Sequence, residues 1–235
     1  MIVLLVIMAL SPIATRAQVE LSNSIDMGFP VLLNKYNQNT YYKQISTGLR
    51  FGLSYKPNAT QFYPTVDFAF GRTRLPLTQF EKNVAFLNCN YLDVMAKGNF
   101  VANVFQDNTL FLSLGIGVEK LKQKGPGVSG PSAGSMKIYE DSSTNVTKYF
   151  PAIGIGLEYV YGESVGRNIY LSVGVNLRYT ILFDEENTYY LSVVDAQSKD
   201  LNLKGALVGG IFTPDFHITL HYMPGQEVFF WKKKD

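Results

Sequence analysis

Residues 168–182 read NIYLSVGVNLRYTIL, and their alternation constrains the fold more than any other stretch. Ile169, Leu171, Val173, Val175, Leu177, Tyr179 and Ile181 take every second position, with Tyr170, Ser172, Gly174, Asn176, Arg178 and Thr180 between them. Successive side chains of a strand point to opposite faces. One face is therefore apolar throughout, and the other is mostly small, polar or cationic. In water the apolar face would need a second layer to cover it. The chain offers no helices for that layer, only more strands of the same kind.

The pattern recurs. In 45–55, Ile45, Thr47, Leu49, Phe51, Leu53 and Tyr55 alternate with Ser46, Gly48, Arg50, Gly52 and Ser54. In 62–71, Phe62, Pro64, Val66, Phe68 and Phe70 alternate with Tyr63, Thr65, Asp67, Ala69 and Gly71. Leu110, Leu112, Leu114, Ile116 and Val118 repeat it, as do Ile153, Ile155, Leu157, Tyr159 and Tyr161. Each run has roughly the 9–11 residues that a tilted strand needs to cross a bilayer. Apolar-out, polar-in alternation is the mark of a transmembrane barrel.

Composition agrees. Charged residues are 17% of the chain, against about 25% in ordinary soluble domains. The 15 Tyr and 16 Phe suit aromatic girdles at two membrane interfaces. A net charge of +2 is too small to point to nucleic acid, and Lys232–Lys234 read as a solvated tail. Residues 1–17 read as an export signal, with an apolar core at Ile2–Leu10 and a small residue, Ala17, before the cut. The missing basic n-region points to a start a few residues upstream. Cys89 is the single cysteine, so no intrachain disulfide forms; it reads as a small lumen-facing or loop residue.

The expected organisation is one barrel over 18–223 and a tail over 224–235. Strands are expected at about 19–31, 43–56, 62–72, 88–104, 109–121, 149–161 and 168–183, with the eighth starting near 200. Polar loops fill 32–42 and 184–199, a loop containing Pro76 runs to about 87, and 122–147 reads as a long Gly- and Ser-rich surface loop. The segments around Lys56-Pro57, Asp107-Asn108 and 162–167 read as tight turns. Long connections thus follow strands one, three, five and seven, and short ones follow the others, which is the asymmetry of outer-membrane barrels. Thr213-Pro214-Asp215 interrupts the last strand, and Phe216, Ile218, Leu220 and Tyr222 alternate again beyond it, so either strand eight continues through a proline bulge or another strand follows. The fold class is all-β, a closed antiparallel transmembrane barrel of eight strands, or ten if part of 184–199 forms a hairpin.

Asn90-Tyr91-Leu92-Asp93-Val94, followed by a turn and Leu110-Phe111-Leu112-Ser113-Leu114-Gly115-Ile116-Gly117-Val118, resembles the fourth and fifth strands of the small PorT-like outer-membrane barrels common in Bacteroidetes. The resemblance extends loosely over 18–223 and implies a bacterial outer-membrane location without implying one activity. It departs from the group's pattern at Met95, where a proline is usual, and at the end of the chain, which runs on through Phe229, Phe230 and Trp231.

The inward positions gather Asp26, Arg50, Asp67, Asp93, Lys97, Glu119, Glu158, Arg178 and Lys204 into one lumen. An eight-stranded barrel barely holds its own side chains, so these charges are expected to pair as a structural plug. The functional alternative is a narrow polar or gated pore, with Gly48, Gly52, Gly115, Gly117, Gly154, Gly156 and Gly174 leaving room for water or for large neighbours. Barrel hydrolases that act on membrane lipid use His with Ser, Asp or Glu. Here only His217 and His221 offer themselves, four apart on one strand face, with no partner fixed by sequence and no third ligand for a metal. No catalytic residue, cofactor or metal is assigned. The expected role is binding, structural or transport-associated, carried by the outside loops. Membrane lipid surrounds the barrel, and protein or ligand partners meet the loops. The alternatives are a lipid-modifying barrel enzyme and a soluble exported β-sandwich or lipid carrier. Asn58 and Asn145 begin glycosylation sequons that matter only in a eukaryotic secretory setting.

Overall fold

The structure is a computed structural model. It describes residues 18–33, 45–56, 61–80, 83–105, 108–131, 133–140, 147–160, 169–182, 188–194, 200–206 and 209–223. The export signal, the tail, the turn at 162–167 and both sequon asparagines lie outside the described residues.

The strands in chain order are β1 (Gln18–Gly28), β2 (Val31–Leu33), β3 (Ser46–Lys56), β4 (Phe62–Phe80), β5 (Asn83–Phe105), β6 (Asn108–Ser129), β7 (Lys137–Glu140), β8 (Thr147–Val160), β9 (Ile169–Leu182), β10 (Thr188–Val194), β11 (Asp200–Ala206) and β12 (Gly209–Tyr222). The eight strands β1, β3, β4, β5, β6, β8, β9 and β12 are hydrogen-bonded in that order, and β12 returns to β1, so the sheet closes on itself. Every neighbouring pair is antiparallel. Closure leaves the ring no free edge and pairs its backbone groups within the sheet, as a strand fold in hydrocarbon requires.

The alternation sorts the side chains as the sequence implies. On the outer wall Ile25 is 70% exposed, Ile116 69% and Ile218 61%, while Asp26, Asp93 and Arg178 behind it are buried. Phe51 stacks on Phe70 with centroids 5.9 Å apart, one of several aromatic contacts along this wall. Apolar residues so exposed around a whole molecule are a liability in water and ordinary in lipid.

Pro214 does not break the last strand. The ladder between β1 and β12 ends at Gly28 opposite Asp215, and β2 takes over opposite Phe212. Pro214 lies between the two, where no partner on that side needs its missing N–H. Its carbonyl accepts from the Phe29 amide at 2.9 Å, and the register with β9 runs through it unshifted.

Two expectations need correction. The first is the Pro76 loop. β4 and β5 continue as a paired ribbon to Phe80 and Asn83, with a bulge at Pro76/Thr78 that accommodates the proline. β6 follows them to Ser129, with Val84 opposite Ser129, so strand structure enters the stretch read as a long loop. The second is the start of strand eight. β11 pairs with β10, and β10 with β7, in a separate three-stranded sheet. A hairpin does form from the region after 184, but it adds no strand to the barrel. Barrel strand eight is β12, and Ile211 on it is buried inside.

Candidate functional site

The lumen is filled in three polar tiers between two apolar clusters. The tier nearest the short turns centres on Glu20. Its carboxylate accepts from Lys56 Nζ at 2.5 Å and from the Tyr170 hydroxyl at 2.5 Å, and it lies 3.0 Å from His221 Nδ1. The other ring nitrogen of His221 lies 2.8 Å from both Glu158 and the Ser172 hydroxyl, and Ser172 also donates to Glu158. A ring with a carboxylate at each nitrogen satisfies both only by donating from both. Lys56 Nζ sits 4.5 Å from the centre of the Tyr63 ring. Tyr63, Phe111, Val160, Tyr170 and Met223 pack together and close this end.

The middle tier joins β1, β3, β4, β5, β9 and β12. Arg50 meets Asp26 at 2.9 Å and Asp215 at 3.6 Å. Asn176 donates to Asp215 at 3.1 Å and contacts His217 Nδ1 at 3.2 Å. Lys97 pairs with Asp67 at 2.6 Å. In the upper tier Arg178 bridges Asp93 at 2.9 Å and Glu119 at 3.6 Å, with Thr180 donating to Glu119 and the Tyr91 ring against the guanidinium. Above it Leu75, Leu87, Leu121, Phe150 and Leu182 from the barrel strands pack with Leu191 and Val193 of β10. The three-stranded sheet thus seats its apolar face on the long-connection end.

Little space remains. A polar cavity of about 40 Å³ lies between the lower and middle tiers, bordered by Ser54, Thr65, Asn99, Ser113 and Thr219. A second void, beside Arg178, is about 10 Å³. One water needs roughly 10–15 Å³ of such space, so the first admits a few waters and the second at most one. Side chains of nearby strands take the room beside two of these glycines: a Cβ on Gly48 would overlap the Tyr91 hydroxyl, and one on Gly174 would overlap the ring of His217, its partner in register on β12. The large neighbours that use this room are Tyr91, Met95 and His217.

Of the residues named from sequence, Asp26, Arg50, Asp67, Asp93, Lys97, Glu119, Glu158 and Arg178 all lie in this column. Lys204 does not belong to a barrel strand. It sits on β11 opposite Tyr190, and its side chain lies outside the described residues. The sequence reading missed Glu20, Lys56 and Asp215, and it left both histidines without partners. Glu20 shares parity with Ser22 and Ser24, and Lys56 with Ser54, so carrying the alternation to the strand ends would have found them. Cys89 is buried in the upper apolar cluster.

Ser172, His221 and Glu20 are linked in the order of a nucleophile, a base and an orienting acid. The linkage lacks the rest of such a site. Ser172 is 1% exposed, it is already committed to Glu158, and the amides around it belong to the β8–β9–β12 ladders. Among the described residues no group of three or more metal-ligating side chains is placed to hold an ion.

No protein-family model matches the chain, and no curated protein matches it. Among solved structures it is similar to Neisserial surface protein A, NspA, with 9% identity and a TM-score of 0.45 over 88% of this chain and 96% of that one. It is similar to Ail, the attachment invasion locus protein of Yersinia pestis, in complex with the heparin analogue sucrose octasulfate, with 13% identity and a TM-score of 0.44 over 88% and 99%. It is also similar to the outer membrane protein OprG from Pseudomonas aeruginosa, with 8% identity and a TM-score of 0.38 over 86% and 95%.

Proposed function

We propose that the protein is a bacterial outer-membrane β-barrel, exported by residues 1–17, whose lumen is a structural ionic core and whose work is binding at the long-connection end. One observation carries this reading: three tiers of ion pairs, with a polar cavity of only about 40 Å³ beside them, lie between two apolar clusters. A pore needs a continuous wet path, and this lumen is closed at both ends by packed rings and aliphatic chains. What projects beyond the apolar wall is the β4–β5–β6 extension and the β7–β10–β11 sheet, where Tyr139 is 53% exposed. Binding residues concentrate on such projections over a rigid scaffold. The PorT-like motif at Asn90–Val94 supports the same location.

The test is the full chain reconstituted in planar bilayers. Bilayers holding the folded protein are expected to stay as silent as empty lipid. Stepwise conductance would overturn the reading of the lumen. Recovery of the folded protein in aqueous extract rather than in the detergent fraction would overturn the membrane reading itself.

A further inference from the structure

The charges on the two faces of the barrel wall are segregated. On the barrel strands, the described carboxylates whose side chains are placed all point inward. On the outward face the described charged residues are Arg72 and Arg74 of β4 and Lys120, Lys122 and Lys124 of β6, all at the long-connection end. Register places them side by side. Arg72 lies opposite Asn90, and Asn90 opposite Lys122. Strands are spaced about 4.8 Å apart, and alternate residues along one about 6.8 Å. Arg72, Arg74 and Lys122 therefore fall within about 10 Å of their nearest members, a spacing that several phosphate oxygens of one headgroup can bridge.

Among the described residues no carboxylate faces this patch. Two of the cations rest on aromatic rings: the Arg74 guanidinium lies 4.9 Å from the Phe86 ring centre, and Lys120 Nζ lies 5.4 Å from that of Tyr149. Such contacts orient a cation without neutralising it. Directly below on the same strands stand Phe68, Phe70, Leu92, Val94, Ile116 and Val118, all exposed. From Leu110 to Val118 a tilted strand covers about 20 Å, close to the height of the apolar band of such barrels, so Lys120 marks the level where headgroups begin. A ligand that satisfies both halves of this surface has acyl chains below and negative charge above.

We propose that Arg72, Arg74, Lys122 and Lys124 form a binding site for the phosphate groups of an outer-leaflet glycolipid. The site rests on the membrane reading above. A soluble acidic polymer would meet the cations but leave the apolar rows without a partner, so the lipid is the occupant the surface fits.

The experiment uses the full chain in phosphatidylcholine nanodiscs doped with either diphosphoryl lipid A or its dephosphorylated counterpart, with retained lipid read by native mass spectrometry. Wild-type protein is expected to retain the diphosphoryl form at least about tenfold over the dephosphorylated one, because each basic side chain near an anionic headgroup adds to the attraction. The variant R72Q/R74Q/K122Q/K124Q is expected to lose that preference while keeping its heat-dependent gel mobility. R72Q/R74Q and K122Q/K124Q each lose part of it, which keeps the test open should the quadruple variant fail to fold. Equal retention of both lipids by folded wild type, or full retention by either double variant, overturns the site and leaves the barrel standing. Displacement of the lipid by dilute polyglutamate would show that a soluble polyanion is the better ligand and would also overturn it. Failure of wild type to enter the nanodiscs would instead strike the membrane reading.

Discussion

Tyr170 lies flat on His221, with ring centroids 4.2 Å apart and planes 3° from parallel, while the Tyr170 hydroxyl donates to the Glu20 carboxylate that also faces His221. One aromatic ring thus stacks on the imidazole and shares its acid. Tyr170→Phe keeps the stack and removes one donor from a buried carboxylate. It is expected to lower stability by about 1–3 kcal/mol, whereas Tyr170→Ala also removes the packing and costs about 3–5 kcal/mol. Urea unfolding of the reconstituted protein, followed by tryptophan or tyrosine fluorescence, checks the order of the two.

Arg178 is the hub of the upper tier. Removing it strands Asp93 and Glu119 inside the barrel, so Arg178→Ala is expected to cost about 3–5 kcal/mol. The double change Arg178→Met with Asp93→Asn, which withdraws one charge of each sign, is expected to cost less than the single change. Unfolding midpoints of the two variants decide it, and equal midpoints would show that the pair is not coupled.

Met95 lies over Gly115 and Gly154: a Cβ on Gly115 would come 2.9 Å from Met95 Sδ, and one on Gly154 3.1 Å. Gly115→Leu therefore overfills the lumen and is expected to destabilise by about 1–3 kcal/mol. Met95→Ala makes room, so the double variant is expected to be more stable than Gly115→Leu alone. A double-mutant cycle measures this coupling directly.

Leu191 is 1% exposed beneath the three-stranded sheet. Leu191→Asp buries an unpaired charge there, and the sheet is expected to lift before the barrel yields, because their hydrogen bonds form separate ladders. Limited proteolysis is expected to cut within 132–146 and 195–199 while heat-dependent gel mobility persists. Conductance is expected to stay at baseline, since the ionic tiers lie deeper.

Ser172→Ala tests the triad-like linkage. It is expected to leave the membrane lipid of producing cells unchanged by mass spectrometry. A new or lost lipid species would return the enzyme reading.

The barrel was legible because its physics is local. Each of the runs at 45–55, 62–71, 110–119 and 168–182 declares two faces by itself, and no knowledge of a partner strand is needed. The charges of the interior followed from parity alone wherever the strand was recognised. Parity failed at the ends. Glu20 is the third residue of β1 and Lys56 the last of β3, and Lys56 beside Pro57 reads as a turn. Asp215 was hidden by Pro214, which is tolerated only because β1 and β2 leave a gap opposite it, and that gap is a property of three strands at once. The β4–β5 ribbon was unreadable for a similar reason. Leu75, Pro76 and Leu77 do not alternate because this stretch packs on the second sheet rather than facing lipid on one side. Leu191 and Val193 form too short a run to distinguish a strand from a polar loop. Pairing partners were the least legible, since which acid meets which base depends on register across the lumen.

Glu20 and His221 stand 201 residues apart in the chain and touch only because β12 meets β1. A sheet that has curled but not joined would leave this acid and this imidazole without each other, facing a half-dry interior. The contact therefore works as a latch on the seam. An incompletely assembled ring is penalised until its first and last strands find register, and the same latch resists the seam's splitting sideways into the bilayer once they have.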